Sequence, residues 1–392
     1  MKNRKDFERF LAQTGPSYMG LEVDYAQGSY IYDKQGKKYL DFVAGVSALP
    51  LGHRPPAVEK AVKKQLERYW HVMVYGEFIQ DVQLDFARKM AHILPENLQT
   101  VYPVNSGTEA TEAAIKIAKK YTGRPHIIAA KKSYHGNTQG SMSVMGYEPR
   151  KIPFTPLVPG VEFIEFNKEE DLKKITGQTA AVILETIQGG AGFIEPQHGY
   201  LKKVKQRCEE TGALLILDEI QTGLHRTGNT FGFEHYGVVP DILITGKALA
   251  GGLPVGAVSA SYEIMQTLIQ PPMGHITTFG GHPVIMAAAR ATLNELEKIE
   301  ASRLAAEKEK YIRKKLKHPL INEIRGKGLM LALIMPDKKT ADKLILEALN
   351  KGLILFWLLY EPRAVRITPP LTVSYDELDQ GIEIILKILN DF

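Results

Sequence analysis

Between residues 46 and 285, apolar runs of strand length alternate with stretches whose apolar positions repeat at helical spacing. This alternation predicts an α/β fold with a mostly parallel sheet covered by helices on both faces. Residues 1–45 predict a helix and a short hairpin, with Gln35-Gly36 in its turn. Residues 282–317 read as one long charged helix. The remainder, as far as Leu389, predicts two strands and two helices of a smaller α+β unit. The organisation expected is a large domain over 46–290 and a small one built from both termini, 1–45 and 291–392. No repeat, low-complexity tract or long flexible linker interrupts the chain.

The ends of two apolar runs carry the candidate chemistry. Ala213-Leu-Leu-Ile-Leu217 has the pattern of a strand buried on both faces and closes on Asp218-Glu-Ile-Gln-Thr-Gly223. Asp218 is thereby delivered to the carboxyl end of a strand, where open α/β sheets form their ligand crevice. Residues 240–245 form a second strand pattern, followed by Gly246-Lys247-Ala-Leu-Ala-Gly-Gly-Leu-Pro-Val-Gly256. A lysine among small residues ahead of a tight turn is desolvated, which lowers its pKa and makes its amine a nucleophile toward aldehydes. Alternatively, Lys247 merely ends a strand, and Asp218 is a metal ligand. No His or Cys cluster with ligand spacing lies nearby, which argues against a metal. An acid and a lysine so placed suit pyridoxal phosphate: the lysine holds the aldehyde as a Schiff base, and the carboxylate keeps the pyridine nitrogen protonated.

Further segments extend the pattern. Val104-Asn-Ser-Gly-Thr-Glu-Ala-Thr-Glu112 follows a short strand and opens a helix over 109–121, so Ser106, Gly107 and Thr108 sit at a helix N-terminus suited to phosphate. Alone, such a segment is only a helix cap. With Ser133-Tyr-His-Gly136, His275-Ile-Thr-Thr-Phe-Gly-Gly-His-Pro283 and Val365-Arg-Ile-Thr-Pro-Pro-Leu371, the chain resembles the class III pyridoxal-phosphate aminotransferases of fold type I, from about Gly28 to Leu389. The resemblance implies a phosphate cup at Ser106, Gly107 and Thr108, and Tyr134 stacked on the pyridine ring. It implies further cofactor contacts from Glu185 and Gln221, the latter to the phenolic oxygen. It also implies that Thr278 reaches the phosphate of a neighbouring subunit, so that a homodimer shares its active sites, and that Arg366 grips the substrate carboxylate.

Bulk properties agree. The chain has 392 residues and 44% apolar content, enough for two domains with substantial cores. A net charge of +5, with dispersed basic residues, does not make a nucleic-acid-binding stripe. One cysteine, Cys208, allows no intrachain disulfide, and with an N-terminus lacking a signal-peptide core this leads us to expect a cytoplasmic protein. The apolar run over 352–360 is too short to cross a membrane.

The expected activity is a ping-pong transfer of an amino group from an amino acid or ω-amine to a keto acid, with Lys247 and Asp218 as the catalytic pair. An aminomutase or epimerase of the same family is the nearest alternative. A dinucleotide-binding reductase lacks its Gly-x-Gly-x-x-Gly signature here. Two departures bear on substrate. Family members of the ornithine type carry a glutamate where this chain has Gly190, and a proline where it has Thr186. Without that glutamate Arg366 has no resting partner, and it should either hold a carboxylate ligand or swing out to solvent. His282 replaces a usual asparagine and carries no assigned role.

Overall fold

A computed structural model describes residues 2–392; Met1 lies outside the described residues. A seven-stranded sheet dominates. Its strands are β4 (Thr100–Val104), β5 (His126–Ala130), β6 (Val161–Ile164), β7 (Thr179–Glu185), β8 (Leu214–Asp218), β9 (Ile242–Gly246) and β10 (Gly256–Ala260). They lie in the order β4-β10-β9-β8-β7-β5-β6, with only β10 antiparallel to its neighbours. Every residue of β7, β8 and β9 is buried. The two faces alternate as the pleat requires: Leu214 and Ile216 join one core, Leu215 and Leu217 the other.

Two four-stranded sheets flank this core. β1 (Val23–Gln27), β2 (Tyr30–Asp33) and β3 (Lys38–Asp41) form one with β13 (Leu353–Ile354), which pairs parallel to β3. The other contains β11 (Glu323–Lys327), β12 (Met330–Ile334), β14 (Phe356–Trp357) and β15 (Ala364–Ile367). The hairpin expected around Gln35-Gly36 joins β2 to β3, with Gly36 at φ 81°.

The single helix expected over 282–317 is two helices, Pro283–Lys298 and Ala301–Lys315. Glu300 breaks them apart in the left-handed region at φ 50°. The second helix thereby turns Ala301, Ala305 and Ile312 into the core, so packing overrides the continuous charged pattern. The expected two C-terminal strands are likewise replaced by the shorter β11 to β15, because pieces of two to five residues give little periodicity to read.

Thr186, at the family's proline position, has a structural explanation. Its hydroxyl donates to the buried Glu219 carboxylate. Glu219 also accepts from Thr222 Oγ1 at 2.7 Å and from the N–H groups of Gly232 and Phe233, both at 2.8 Å. One carboxylate thus ties the β7 and β8 loops to the turn Gly232–Tyr236. Glu219→Ala should destabilise the protein by about 3 kcal/mol or more, because several buried donors lose their acceptor at about 1–3 kcal/mol each. Denaturant midpoints for wild type, Glu219→Gln and Glu219→Ala test this, and an Ala variant as stable as wild type would refute it.

Candidate active site

Three neighbouring strands deliver side chains to one crevice at their carboxyl ends. Glu185 ends β7, Asp218 ends β8 and pairs with it in register, and Lys247 follows β9 directly. Lys247 adopts φ 42°, an unusual conformation for a residue with a side chain. Burial holds its pKa below the ordinary lysine value; Asp218 opposes this shift, Arg366 adds to it, and Glu185 opposes it.

These residues line a cavity of about 460 Å³ together with Gly107, Thr108, Tyr134, Gln221 and Arg366. Of the expected site residues, Ser106 and Thr278 do not line it. The Ser106 hydroxyl instead caps the helix Gly107–Thr122, accepting from Glu109 N at 3.3 Å. The first N–H groups of that helix have no intrahelical partner and can serve as donors to an anion. Gly107 packs closely against Ile220: a Cβ here would lie 2.6 Å from Ile220 Cδ1 and push that side chain aside. Thr108's hydroxyl faces away from phosphate duty, bonded to Ser141 Oγ at 2.7 Å and Thr138 Oγ1 at 2.8 Å. Its backbone remains in the cup. Gln221 donates to Ser47 Oγ at 3.3 Å.

Sequence reading missed His135. Its Nδ1 lies 2.7 Å from Asp218 Oδ2, while Asp218 Oδ1 accepts from Ile220 N at 2.9 Å. The side chain is fully buried, so the histidine fixes the carboxylate's plane. Its signal was present in Ser133-Tyr-His-Gly136, where attention fell on the neighbouring aromatic. Tyr134 lines the cavity with its hydroxyl accepting from Asn137 Nδ2 at 3.1 Å. Glu185 accepts from Tyr134 N at 3.2 Å and Gly189 N at 2.9 Å, yet burial raises its carboxyl to about 7.

Arg366, on β15, stays inside rather than swinging out, only 5% exposed. Its Nε and Nη1 are buried without a hydrogen-bond partner, the Phe193 ring lies 5.7 Å away, and burial lowers its pKa to about 10. No acidic side chain pairs with it among the described residues. The space of the absent glutamate is filled: a Cβ on Gly190 would meet the Tyr360 ring at 2.9 Å. The free donors at the helix N-terminus, the held Asp218, the desolvated Lys247 and the orphaned guanidinium together fit pyridoxal phosphate and a carboxylate substrate.

Thr278 lies exposed in the segment between His275 and Gly281. Beside it opens a larger, mostly apolar cleft of about 810 Å³, lined by Phe78, Ile79, Met273, Ile276 and Thr277. It contains none of the titratable pairs described above, so size does not mark the reactive site.

A lysine, an acid and a helix N-terminus converging at the sheet's carboxyl edge define a pyridoxal-phosphate enzyme of fold type I. The comparisons are specific. Residues 12–389 match the model of the aminotransferase class-III family. The acetylornithine aminotransferase of Caldanaerobacter subterraneus is 39% identical, over 98% of each chain. The ornithine aminotransferase structure from Toxoplasma gondii superposes with a TM-score of 0.92 at 30% identity, covering 99% of this chain and 94% of that one. An (S)-enantioselective ω-transaminase from Thermomicrobium roseum gives a TM-score of 0.92 at 30% identity, covering 99% and 97%. The chain belongs to the class III aminotransferases. It is a pyridoxal-phosphate-dependent transaminase.

The crowding at Gly190 generates a prediction. Gly190→Glu alone should cost about 1–3 kcal/mol, as overpacking does, and Gly190→Glu with Tyr360→Ala should recover part of that loss. Thermal midpoints of the two variants test it, and a single variant as stable as wild type would show that Tyr360 moves freely.

Proposed function

We propose that Lys247 and Asp218 form the catalytic pair and that Arg366 anchors the carboxylate of the amino acid and keto acid. Pyridoxal phosphate, when bound, supplies an aldehyde for the lysine amine and an electron sink for the carbon that loses its proton. Lys247 Nζ would be the amine that holds this aldehyde at rest. Freed by an incoming amine, the desolvated Nζ would take the proton from the substrate carbon as general base and deliver it, as general acid, to the carbon that began as the aldehyde. Asp218, its plane fixed by His135, would hold the pyridine nitrogen in its protonated form. The helix N-terminus at Ser106, Gly107 and Thr108 would hold the phosphate, and Tyr134 would pack against the pyridine ring. Glu185 and Gln221 complete the polar side of the cradle. The single observation that carries this reading is a desolvated Lys247 facing Asp218 in the cavity that also holds the unpartnered Arg366.

The relatives named above act on acetylornithine, ornithine and ω-amines. With Gly190 and Arg366 lining one cavity and Tyr360 packed over Gly190, we read this site as favouring partners whose own α-carboxylate meets Arg366, with 2-oxoglutarate or pyruvate as acceptor. We also read the molecule as a homodimer. Thr278 is exposed beside exposed Ile276 and Phe279 and an apolar cleft, which supports a second copy covering this face and receiving Thr278 at its phosphate. The pairing of β13 with β3 supports a small domain drawn from 1–45 and 291–392 around a large domain over 46–290. No helix among the described residues is long and apolar enough to cross a membrane; a lone, buried Cys208 supports placing the protein in the cytoplasm.

Lys247→Ala should retain cofactor through the phosphate cup but lose turnover by several orders of magnitude, since both covalent and proton-transfer roles vanish. Steady-state rates on a panel of amino acids and amines against 2-oxoglutarate and pyruvate check this and fix the substrate pair. A variant keeping a tenth of wild-type activity would mean another lysine does the work.

Cofactor affinity and dimerisation should be linked through Thr278. Dilution followed by analytical ultracentrifugation and cofactor absorbance should show release of cofactor as the dimer dissociates. Tightly bound cofactor on a monomer would contradict the shared site.

A further inference from the structure

The cavity holds a second arginine that the reaction described above does not use. Arg150 ends the short turn Glu148–Arg150 and lines the same cavity as Lys247 and Arg366. The acid nearest in sequence, Glu148, is taken by Lys151 at 3.0 Å, and Arg150 has no ion-pair partner among the described residues. It lies instead over the Tyr360 ring, 5.5 Å from its centroid.

That ring is fixed from two sides. Tyr360 stacks on Tyr147 with centroids 4.4 Å apart and planes 25° apart, and its N–H donates to Gly190 O at 2.9 Å. The stack occupies the space that a side chain at 190 would need. Gly190 therefore does more than leave Arg366 unpaired: it admits the aromatic pair on which Arg150 rests. Among the cavity's other polar groups, the Asn137 amide is committed to the Tyr134 hydroxyl, so Arg150 is the remaining cation able to meet a ligand there.

We propose that Arg150 is a specificity-determining residue that receives a second, distal carboxylate, so that the site selects substrates bearing a carboxylate at each end. This rests on the reading of Arg366 as the anchor for the other carboxylate. A planar guanidinium preorganised on an aromatic face loses little freedom when a carboxylate arrives. A monocarboxylate of the same length leaves it facing water, and the difference between the two affinities is the selectivity.

The test uses the cofactor-loaded enzyme and matched pairs of ligands. Glutarate and pentanoate are unreactive and differ only in the second carboxylate; 2-oxoglutarate and 2-oxopentanoate are the reactive equivalents. Dissociation constants come from perturbation of the cofactor absorbance, and kcat/KM from turnover with a common amine donor. In Arg150→Gln the glutarate-to-pentanoate affinity ratio should fall about tenfold or more, the worth of one charge-assisted hydrogen bond, and the ratio of kcat/KM values should fall with it. Arg150→Lys should lie between Gln and wild type. A ratio within about twofold of wild type in Arg150→Gln, a difference near the limit of such measurements, overturns the proposal. Arg366→Gln separates the two readings: it should weaken pentanoate and glutarate together. If it leaves pentanoate binding intact, the anchor reading of Arg366 fails, whatever Arg150 does.

Discussion

Lys247, Asp218, Glu185 and Arg366 share one cavity, where Asp218, Glu185 and Arg366 are each 8% exposed or less, and an isolated charge so buried is strongly unfavourable. The rest of the site follows from how unevenly that constraint is met. Asp218 is held in place by His135 and the Ile220 N–H. Glu185 receives two N–H groups and is still held near 7 by burial. Lys247 is desolvated, which keeps its amine available. Arg366 is left with orphaned donors. The two carboxylates are hydrogen-bonded, and the guanidinium is not.

The scaffold makes this distribution possible. Three parallel strands, buried on both faces, set the carboxyl-end positions of Glu185, Asp218 and Lys247 with little freedom. Positive φ at Lys247 turns the chain sharply after β9. Gly107 lets the helix N-terminus close on Ile220. Arg366 comes from a different sheet, so the crevice lies where two sheets meet, a usual place for a ligand site.

Much of this was legible in the sequence because its signals are local. Unbroken apolar runs ending on Asp218 and Lys247 encode both the buried strands and the chemistry at their ends. Motif resemblance pointed to Arg366, Gly107 and Thr108, which line the cavity. What was hidden depends on tertiary contacts. His135 acts through a residue 83 positions away. Tyr360 fills the space over Gly190 from a different part of the chain. The break at Glu300 is dictated by where Ala301, Ala305 and Ile312 must be buried, which a charged helical pattern does not announce. Thr186 looked like a loss of proline and is instead one of the donors to Glu219.

The central claim is that Lys247 is the amine that holds the cofactor. Borohydride reduction of the cofactor-loaded protein, followed by proteolysis and mass spectrometry, tests it most directly, because reduction makes the linkage permanent wherever it exists. The account predicts a single modified lysine, in the peptide spanning Thr245 to Ala250. Modification of another lysine, or an unmodified Lys247 in protein that has lost its yellow colour on reduction, would contradict it.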